Sequence, residues 1–312
     1  MLGMTTVSAK ISDHSGTNIS DFEIGTKSIS SKVMQYEEYF KREGDRYGID
    51  PNILAAICMQ ESAGTNYSYR EDGTSYPAWG IMQIEYTHEN SFANFGENRD
   101  GVRWTLADRL DPEKSIAYAA YLLSESLYKY DSDYIKMIQA YNFGNTVLDR
   151  IISAVGDDWL SERVNAAKYA DNWKYSKYGD ALYVEHVLAY YENAMEYSGA
   201  KVRIDDKLVK FSEQHPIIDN GYTLIPIRAV SETLGADVEW DGDAGIVTIT
   251  KSDDAIILTI GSSTAYVNSD RYELECSAEV VNGRTLVPIR FVAEAFGNTV
   301  EWDGESRTVL IS

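Results

Sequence analysis

Residues 49–62 read Ile-Asp-Pro-Asn-Ile-Leu-Ala-Ala-Ile-Cys-Met-Gln-Glu-Ser, and this stretch decides how the first half of the chain folds. Asp50 is placed to act as an N-cap and Pro51 fits the first helical position, so a helix begins here. Ile53, Leu54, Ile57 and Cys58 recur at helical spacing and mark its core-facing stripe. Glu61 continues that stripe, four residues after Ile57 and seven after Leu54, so its side chain is expected to point with the core-facing ones. A carboxylate there loses water, and a helix C-terminus disfavours negative charge. Both effects favour the protonated form, as a general acid near neutral pH requires. Position alone does not establish the role, because a lone Glu near a helix end is ordinarily solvated or paired with Arg or Lys.

The chain has 312 residues, enough for two domains, and 44% of them are hydrophobic, enough for a core. Its formal net charge of −21 argues against nucleic acid, which calls for a basic patch, and against electrostatic attraction to anionic membranes or wall polymers. Recognition of a wall would have to use shape, hydrogen bonds and stacking. Tyrosine is common, at 23, and nearly all of it precedes residue 200. Its flat face suits sugar stacking, although helix packing is its ordinary use.

Cys58 and Cys276 are far apart in sequence and fall in different expected domains, so no disulfide is expected. His14, His88, His186 and His215 form no short metal-ligand spacing, and no metal or cofactor is expected. The opening Met-Leu-Gly-Met-Thr-Thr-Val-Ser-Ala-Lys lacks an apolar signal core, and no stretch is long enough to span a membrane. Synthesis in the cytoplasm without a signal peptide is the expectation, with release onto any outside substrate by other means.

Residues 1–30 are rich in Ser, Thr, Asp and Gly and read as a mobile polar leader. Residues 31–197 read mostly helical. An irregular stretch over 64–80 follows the helix that carries Glu61. Further helices are expected after Asp111-Pro112, through Tyr134, Ile135, Ile138 and Tyr141, and over 180–197 with Leu182, Val187, Leu188 and Tyr191 on one face. Ser198-Gly199 marks a boundary. Beyond it, 223–250 (TLIPIRAVSETLGADVEWDGDAGIVTIT) and 285–312 (TLVPIRFVAEAFGNTVEWDGESRTVLIS) are identical at 15 of 28 positions, at an offset of 62. This is a tandem duplication. Each copy reads strand, short helix ending at Gly235 or Gly297, then a hairpin turning at Asp241-Gly242 or Asp303-Gly304. The segments 202–211 and 265–274 read as further hairpins.

Three motifs in order, IDPNILAAICMQES at 49–62, GIMQI at 80–84 and AYNFG at 140–144, resemble the soluble lytic transglycosylase and goose-type lysozyme group across about 31–197. The resemblance implies a two-domain architecture that begins with a mainly α, lysozyme-like peptidoglycan glycosidase domain over 31–197. It implies cleavage of the β-1,4 bond between N-acetylmuramic acid and N-acetylglucosamine, with Glu61 as the general acid. Ser62 would orient Glu61 or the substrate. Gln83 would face the sugar cleft from the wall formed by 80–84. Tyr141 and Asn142 would lie across the cleft near the N-acetyl group, with helix packing as the alternative for Tyr141. Ser115 and Ala119 stand where the group often has Asn and Gly, a difference of helix packing, and Phe143 replaces a commonly small residue and is expected to narrow the cleft.

Glycosidases commonly use two carboxylates. Asp72, Glu85, Glu89, Asp100 and Asp111 are all candidates for positioning water. With such an acid the enzyme hydrolyses, and without one the substrate's own 6-hydroxyl attacks to leave a 1,6-anhydro end.

The duplicated part, 201–312, an α+β domain of strands, a short helix and a hairpin in each copy, resembles the small domain named for copper amine oxidases and found in Gram-positive surface proteins. With one histidine, His215, this half does not imply copper. Trp240 and Trp302 sit at equivalent places and could stack on glycan or pack internally. A repeated module behind a wall-cutting domain is expected to hold the enzyme to the wall of a Gram-positive, clostridial-type cell. The whole then reads as a phage-type endolysin. A host or virion-associated wall-remodelling enzyme and a non-catalytic wall-binding protein are the alternatives. Internal initiation at Met195 would give a free C-terminal module able to self-associate with the full chain.

Overall fold

Asp50 opens its helix as the sequence predicts. In the computed structural model its carboxylate accepts from the backbone N–H of Asn52 at 2.9 Å, and Pro51 takes the first helical position. The structure describes residues 22–66, 78–85, 88–171, 174, 176–191, 194–195, 199–211, 214–304 and 306–312. They divide into two units, one within Met1–Glu43 and Ile49–Glu196, the other within Gly44–Gly48 and Tyr197–Ser312. Of the leader expected over 1–30, residues 1–21 lie outside the described residues. Gly25 and Lys27 donate backbone hydrogen bonds to the carbonyls of Leu188 and Ala189.

The first unit is helical. Its elements are α1 (Ser31–Met34), α2 (Glu37–Tyr47, of which the residues up to Glu43 fall in this unit), α3 (Pro51–Ser62), a two-stranded hairpin of β1 (Ala78–Trp79) and β2 (Ile84–Glu85), α4 (Glu89–Asp100), α5 (Pro112–Lys129), α6 (Tyr134–Phe143), α7 (Asn145–Val155), α8 (Trp159–Glu162) and α9 (Tyr183–Ala189). No helix among the described residues is long and apolar enough to cross a membrane. Residues 51–58 of α3 are buried, so this helix is the core about which α1, α5 and α9 pack. Burying its N-terminus requires a partner for every polar group there. Asn52 meets that need. Its amide donates to Asp50 Oδ1 and to the Met195 carbonyl, and its Oδ1 accepts from the N–H groups of Ala194 and Met195. Tyr191 completes the cluster by donating to Asp50 Oδ2 at 2.6 Å.

One expectation is corrected in extent. Of the helix expected over 180–197, the described residues form Tyr183–Ala189, with Tyr183, Val184, Val187 and Leu188 on its buried face, while 192–193 and 196–197 lie outside the described residues. Leu182, expected on that face, is 47% exposed just before the helix. Just past the helix end, Tyr191 donates its hydroxyl to Asp50.

The second unit is built of sheets, and the duplication organises it. The remaining strands are β3 (Lys201–Ile204), β4 (Lys207–Leu208), β5 (Ile217–Asp219), β6 (Tyr222–Pro226), β7 (Asp237–Asp241), β8 (Ile246–Lys251), β9 (Asp254–Thr259), β10 (Thr264–Val267), β11 (Asp270–Glu273), β12 (Glu279–Val281), β13 (Arg284–Pro288), β14 (Val300–Asp303) and β15 (Thr308–Ile311). The helices α10 (Ile227–Thr233) and α11 (Ile289–Ala295) follow β6 and β13 directly.

A central sheet of order β12-β13-β6-β5 pairs the copies across their equivalent strands, Leu286 with Pro226, Val287 with Ile225 and Pro288 with Leu224. At the offset of 62, Val287 is the counterpart of Ile225, so a pseudo-two-fold axis passes through that pair. Each helix packs on the other copy's strand, α11 on β6 and α10 on β13. Two outer sheets, β11-β10-β9-β8-β7 and β14-β15-β3-β4, complete the unit. They differ where β9 separates β8 from β10, whereas β3 lies directly beside β15 in parallel. The sequence hairpins at 202–211 and 265–274 are β3-β4 and β10-β11.

Candidate active site

Glu61 sits in the last turn of α3, beyond the fully buried part of that helix, and is partly exposed. Its Oε1 accepts a 2.5 Å hydrogen bond from the phenol of Tyr183 on α9. Tyr183 is 1% exposed. Burial first, and then the negative charge of Glu61, hold its hydroxyl well above the usual tyrosine range. Tyr183 therefore stays neutral and keeps its hydrogen aimed at the carboxyl group, fixing the rotamer of Glu61. Tyr141 on α6 is the second phenol in this neighbourhood. Burial and the charge of Glu61, in that order, raise its pKa well above the usual value, with Cys58, Tyr118 and Glu85 adding to the effect.

The segment between β1 and β2 is gripped from two sides. Ser62 donates to the Ile81 carbonyl at 2.7 Å and accepts from the Gly64 N–H at 3.1 Å. Tyr141 donates to the Met82 carbonyl at 2.8 Å. Gly80 makes the turn possible, since it has φ +77° and a Cβ there would stand 2.0 Å from the carbonyl oxygen of Arg109. Gln83 holds φ +50°, a left-handed conformation uncommon outside glycine. Its amide donates to the Gly80 carbonyl at 2.7 Å. Its Oε1 is buried and has no hydrogen-bond partner among the described residues. A buried acceptor left that way costs about 1–3 kcal/mol.

Asn142 lies at the C-terminal end of α6. Its Oδ1 accepts from the Asp180 N–H at 2.6 Å, so its amide N–H groups are the ones left to face outward. The 178–180 segment is fastened here by three further contacts. Tyr178 donates to the Phe143 carbonyl, Gln139 donates to the Asp180 carbonyl, and Asp180 Oδ2 meets His186 Nδ1 at 2.6 Å. Gly179, with φ +57°, lets the backbone come this close, since a Cβ there would stand 2.4 Å from Asn142 Oδ1. The same segment leads into α9, so it sets the positions of Asn142 and Tyr183 together.

Of the residues expected in the site, Glu61 and Tyr141 are linked electrostatically, while Ser62, Tyr141 and Gln83 all bond within 80–83. The hydroxyl of Ser62 is occupied by that segment. Trp240 and Trp302 belong to the second unit, 45% and 42% exposed. Among the candidates for a second acid, Asp72 lies outside the described residues. Asp100 pairs with Arg99, and Asp111 caps α5 through Glu113 and Lys114. Glu89 is exposed in the first turn of α4. Among the four described candidates, Glu85 contributes to the shift of Tyr141, alongside Glu61. Sequence reasoning missed Tyr183, Gly179 and Asp180. The available signal was the set Tyr183, Val184, Val187 and Leu188, which makes a buried stripe once the face is moved one residue along from Leu182.

Comparison with known proteins agrees with this division. Residues 38–159 match the family described as "Transglycosylase SLT domain", and residues 203–311 match "Copper amine oxidase N-terminal domain". The chain thus carries one domain of each kind. A lysozyme g of Epinephelus coioides is 28% identical over 100 residues, 30% of this chain and 46% of that protein. Protein IpgF of Shigella sonnei is 28% identical over 105 residues, 34% of this chain and 64% of that protein. A protease inhibitor of Brevibacillus choshinensis is 33% identical over 107 residues, 31% of each chain. The matched stretches span less than two thirds of each of these relatives. The residues of the second unit do not fit a copper centre. Residues 203–311 contain one histidine, His215, and no three His, Cys, Asp or Glu side chains gather to hold an ion among the described residues.

Proposed function

We propose that the first unit cleaves the β-1,4 bond between N-acetylmuramic acid and N-acetylglucosamine in peptidoglycan, with Glu61 as general acid. The observation that carries this reading is the hydrogen bond from Tyr183 to Glu61, which lies within the matched residues 38–159 and next in sequence to Ser62, the residue that bonds the 80–83 segment. Glu61 gives its proton to the glycosidic oxygen as the bond to the anomeric carbon breaks. The Glu61 carboxylate then takes a proton from the attacking hydroxyl. The Asn142 amide supplies donors for the N-acetyl and hydroxyl groups of the sugars, and Gln83 belongs to the wall of the cleft formed by 80–84. Attack by the substrate's own 6-hydroxyl gives an anhydro end. Hydrolysis is the second reading, with Glu85, exposed at the end of β2, as the acid that would position water.

The second unit holds the enzyme to the wall, and the protein acts as an endolysin-type enzyme on Gram-positive peptidoglycan. The pairing of a glycan-cleaving domain with a duplicated sheet module supports this. A free second unit begun at Met195 and associated with the full chain is part of the same proposal. A single full-length product on expression would count against it.

The test is mass spectrometry of muropeptides released from Gram-positive walls by the wild type and by Glu61→Gln. Wild type releases fragments and the variant does not. Anhydro ends, lighter by one water, identify transglycosylation, and reducing ends identify hydrolysis. Intact glycan after wild-type treatment would overturn the enzymatic reading and leave a wall-binding protein.

A further inference from the structure

Beside the difference between its outer sheets, the second unit departs from its pseudo-two-fold around a cavity of about 520 Å³. Three aromatic side chains line it, Tyr222, Phe291 and Trp302. Tyr222 comes from the first copy, whose β6 packs against α11, while Phe291 and Trp302 come from the second. Tyr222 and Trp302 are exposed, at 38% and 42%, so these rings are open to a ligand. Tyr272 meets Phe291 edge-on with ring centroids 6.0 Å apart and so braces it.

At the symmetry-related face the offset of 62 keeps the tryptophan, as Trp240. It puts Arg284 in place of Tyr222 and Ala229 in place of Phe291. The second face thus retains the shared indole and loses both other rings.

The charges of the cavity narrow the ligand. Glu273, Glu275, Glu294 and Glu301 line it, against one guanidinium, Arg290. Arg290 is held in the wall by Glu294 at 3.3 Å and by the Val300 carbonyl at 3.0 Å. Four carboxylates against one cation repel an anionic polymer. They also offer acceptors to hydroxyl, amide and ammonium hydrogens. Flat apolar rings with polar acceptors around them suit pyranose rings, which are apolar on their faces and polar at their edges.

We propose that this cavity, and not the face around Trp240, is the saccharide site of the second unit, taking a short oligosaccharide of amino sugars. Trp302, Tyr222 and Phe291 stack on the sugar faces, and the carboxylates accept from hydroxyl and nitrogen-bound hydrogens. The inference rests on the reading of this unit as the wall-binding part.

The test uses full-length protein carrying Glu61→Gln, to prevent cleavage, with Trp302→Ala, Phe291→Ala or Trp240→Ala added. Phe291→Ala installs the residue that the first copy already carries at the equivalent place, so it is compatible with the fold. Isothermal titration with the tetramers of N-acetylglucosamine and of glucosamine measures the sites, and sedimentation with purified Gram-positive walls measures adsorption. Thermal unfolding checks that each variant is folded.

A site weakened about tenfold or more by Trp302→Ala and by Phe291→Ala, and unchanged by Trp240→Ala, supports the proposal. Preference for one tetramer tells whether the acetylated or the free-amine sugar is the source. Unchanged titration in folded Trp302→Ala or Phe291→Ala protein, or an equal loss with Trp240→Ala, overturns it. Walls that still adsorb the parent and these variants equally would remove the cavity and leave the wall-binding reading standing. Walls that never adsorb the parent would remove that reading as well.

Discussion

Tyr183 donates its hydrogen to Oε1 of Glu61 at 2.5 Å, across 122 residues of sequence. A phenol kept neutral by burial is a fixed donor, so the carboxyl group is already oriented before substrate arrives. Tyr183→Phe removes that bond and little volume. A hydrogen bond to a charged group contributes about 1.5–3 kcal/mol, so the turnover number should fall roughly 10–100-fold with KM little changed. Initial rates of wall-fragment release across substrate concentration check this. An unchanged turnover number would show that Glu61 needs no such support.

Gly179 makes a different kind of contribution. Its left-handed backbone brings the Asp180 N–H to Asn142 Oδ1, and a methyl group there would meet that oxygen at 2.4 Å. Gly179→Ala should push the 178–180 segment off α6 and free Asn142 to rotate. Loss of a positioned donor should raise KM and lower the turnover number together, by about tenfold overall. Unfolding temperature should fall only modestly, because an L-residue in the left-handed region costs about 1–2 kcal/mol. Kinetics that stay at the wild-type level would sink the positioning role.

How much of this was visible in the sequence follows from what each residue depends on. The helix carrying Glu61 was legible because its cap, its proline and its apolar spacing are all local. The duplication was legible because identity at a fixed offset needs no structure. Tyr183 was not, because Leu182 beside it fits an apolar helical face as well, and only packing against α3 and α6 decides between them. The contact made by Ser62 was not legible for a related reason. Its hydroxyl bonds to Ile81, 19 residues on, and nothing in the local sequence records that contact. The asymmetry of the second unit was hidden by the strength of the repeat, since Arg284 opposite Tyr222 matters only once the copies pair across the central sheet.

Asn52 tests the buried end of α3. Its side chain satisfies two N–H groups and one carbonyl from 194–195 besides bonding Asp50. Asn52→Ala leaves these groups without their partner, at about 1–3 kcal/mol for each group that water cannot reach. The expected result is a loss of at least about 2 kcal/mol of stability for the first unit, measured by denaturant unfolding. Asn52→Asp should be tolerated no better, since it keeps the acceptor but loses the donor to the Met195 carbonyl and places a second carboxylate beside Asp50. A variant as stable as wild type would mean that 194–195 is held by other contacts.

His215 gives the second unit a pH dependence of predictable sign. Burial, only partly opposed by a hydrogen bond with the Phe211 backbone, pushes its pKa from the ordinary 6.5 down to about 4. Its Nε2 is shielded and has no hydrogen-bond partner among the described residues, and the ring packs on Phe211 at 5.4 Å. In the unfolded chain the imidazole takes up a proton near pH 6.5, while in the folded chain it resists until about pH 4. The unfolded state therefore binds more protons in that window, and stability falls as pH drops through it. Above pH 6.5 both states are neutral and the contribution is flat. The many carboxylates of this chain also titrate at the acid end, so the useful quantity is a difference. Unfolding temperatures of wild type and of His215→Gln are compared from pH 7.5 to 4.5. The gap between them should shift in favour of the variant as pH falls below 6.5. A gap that stays constant over that range would show that the imidazole is equally free to protonate in the folded and unfolded chains.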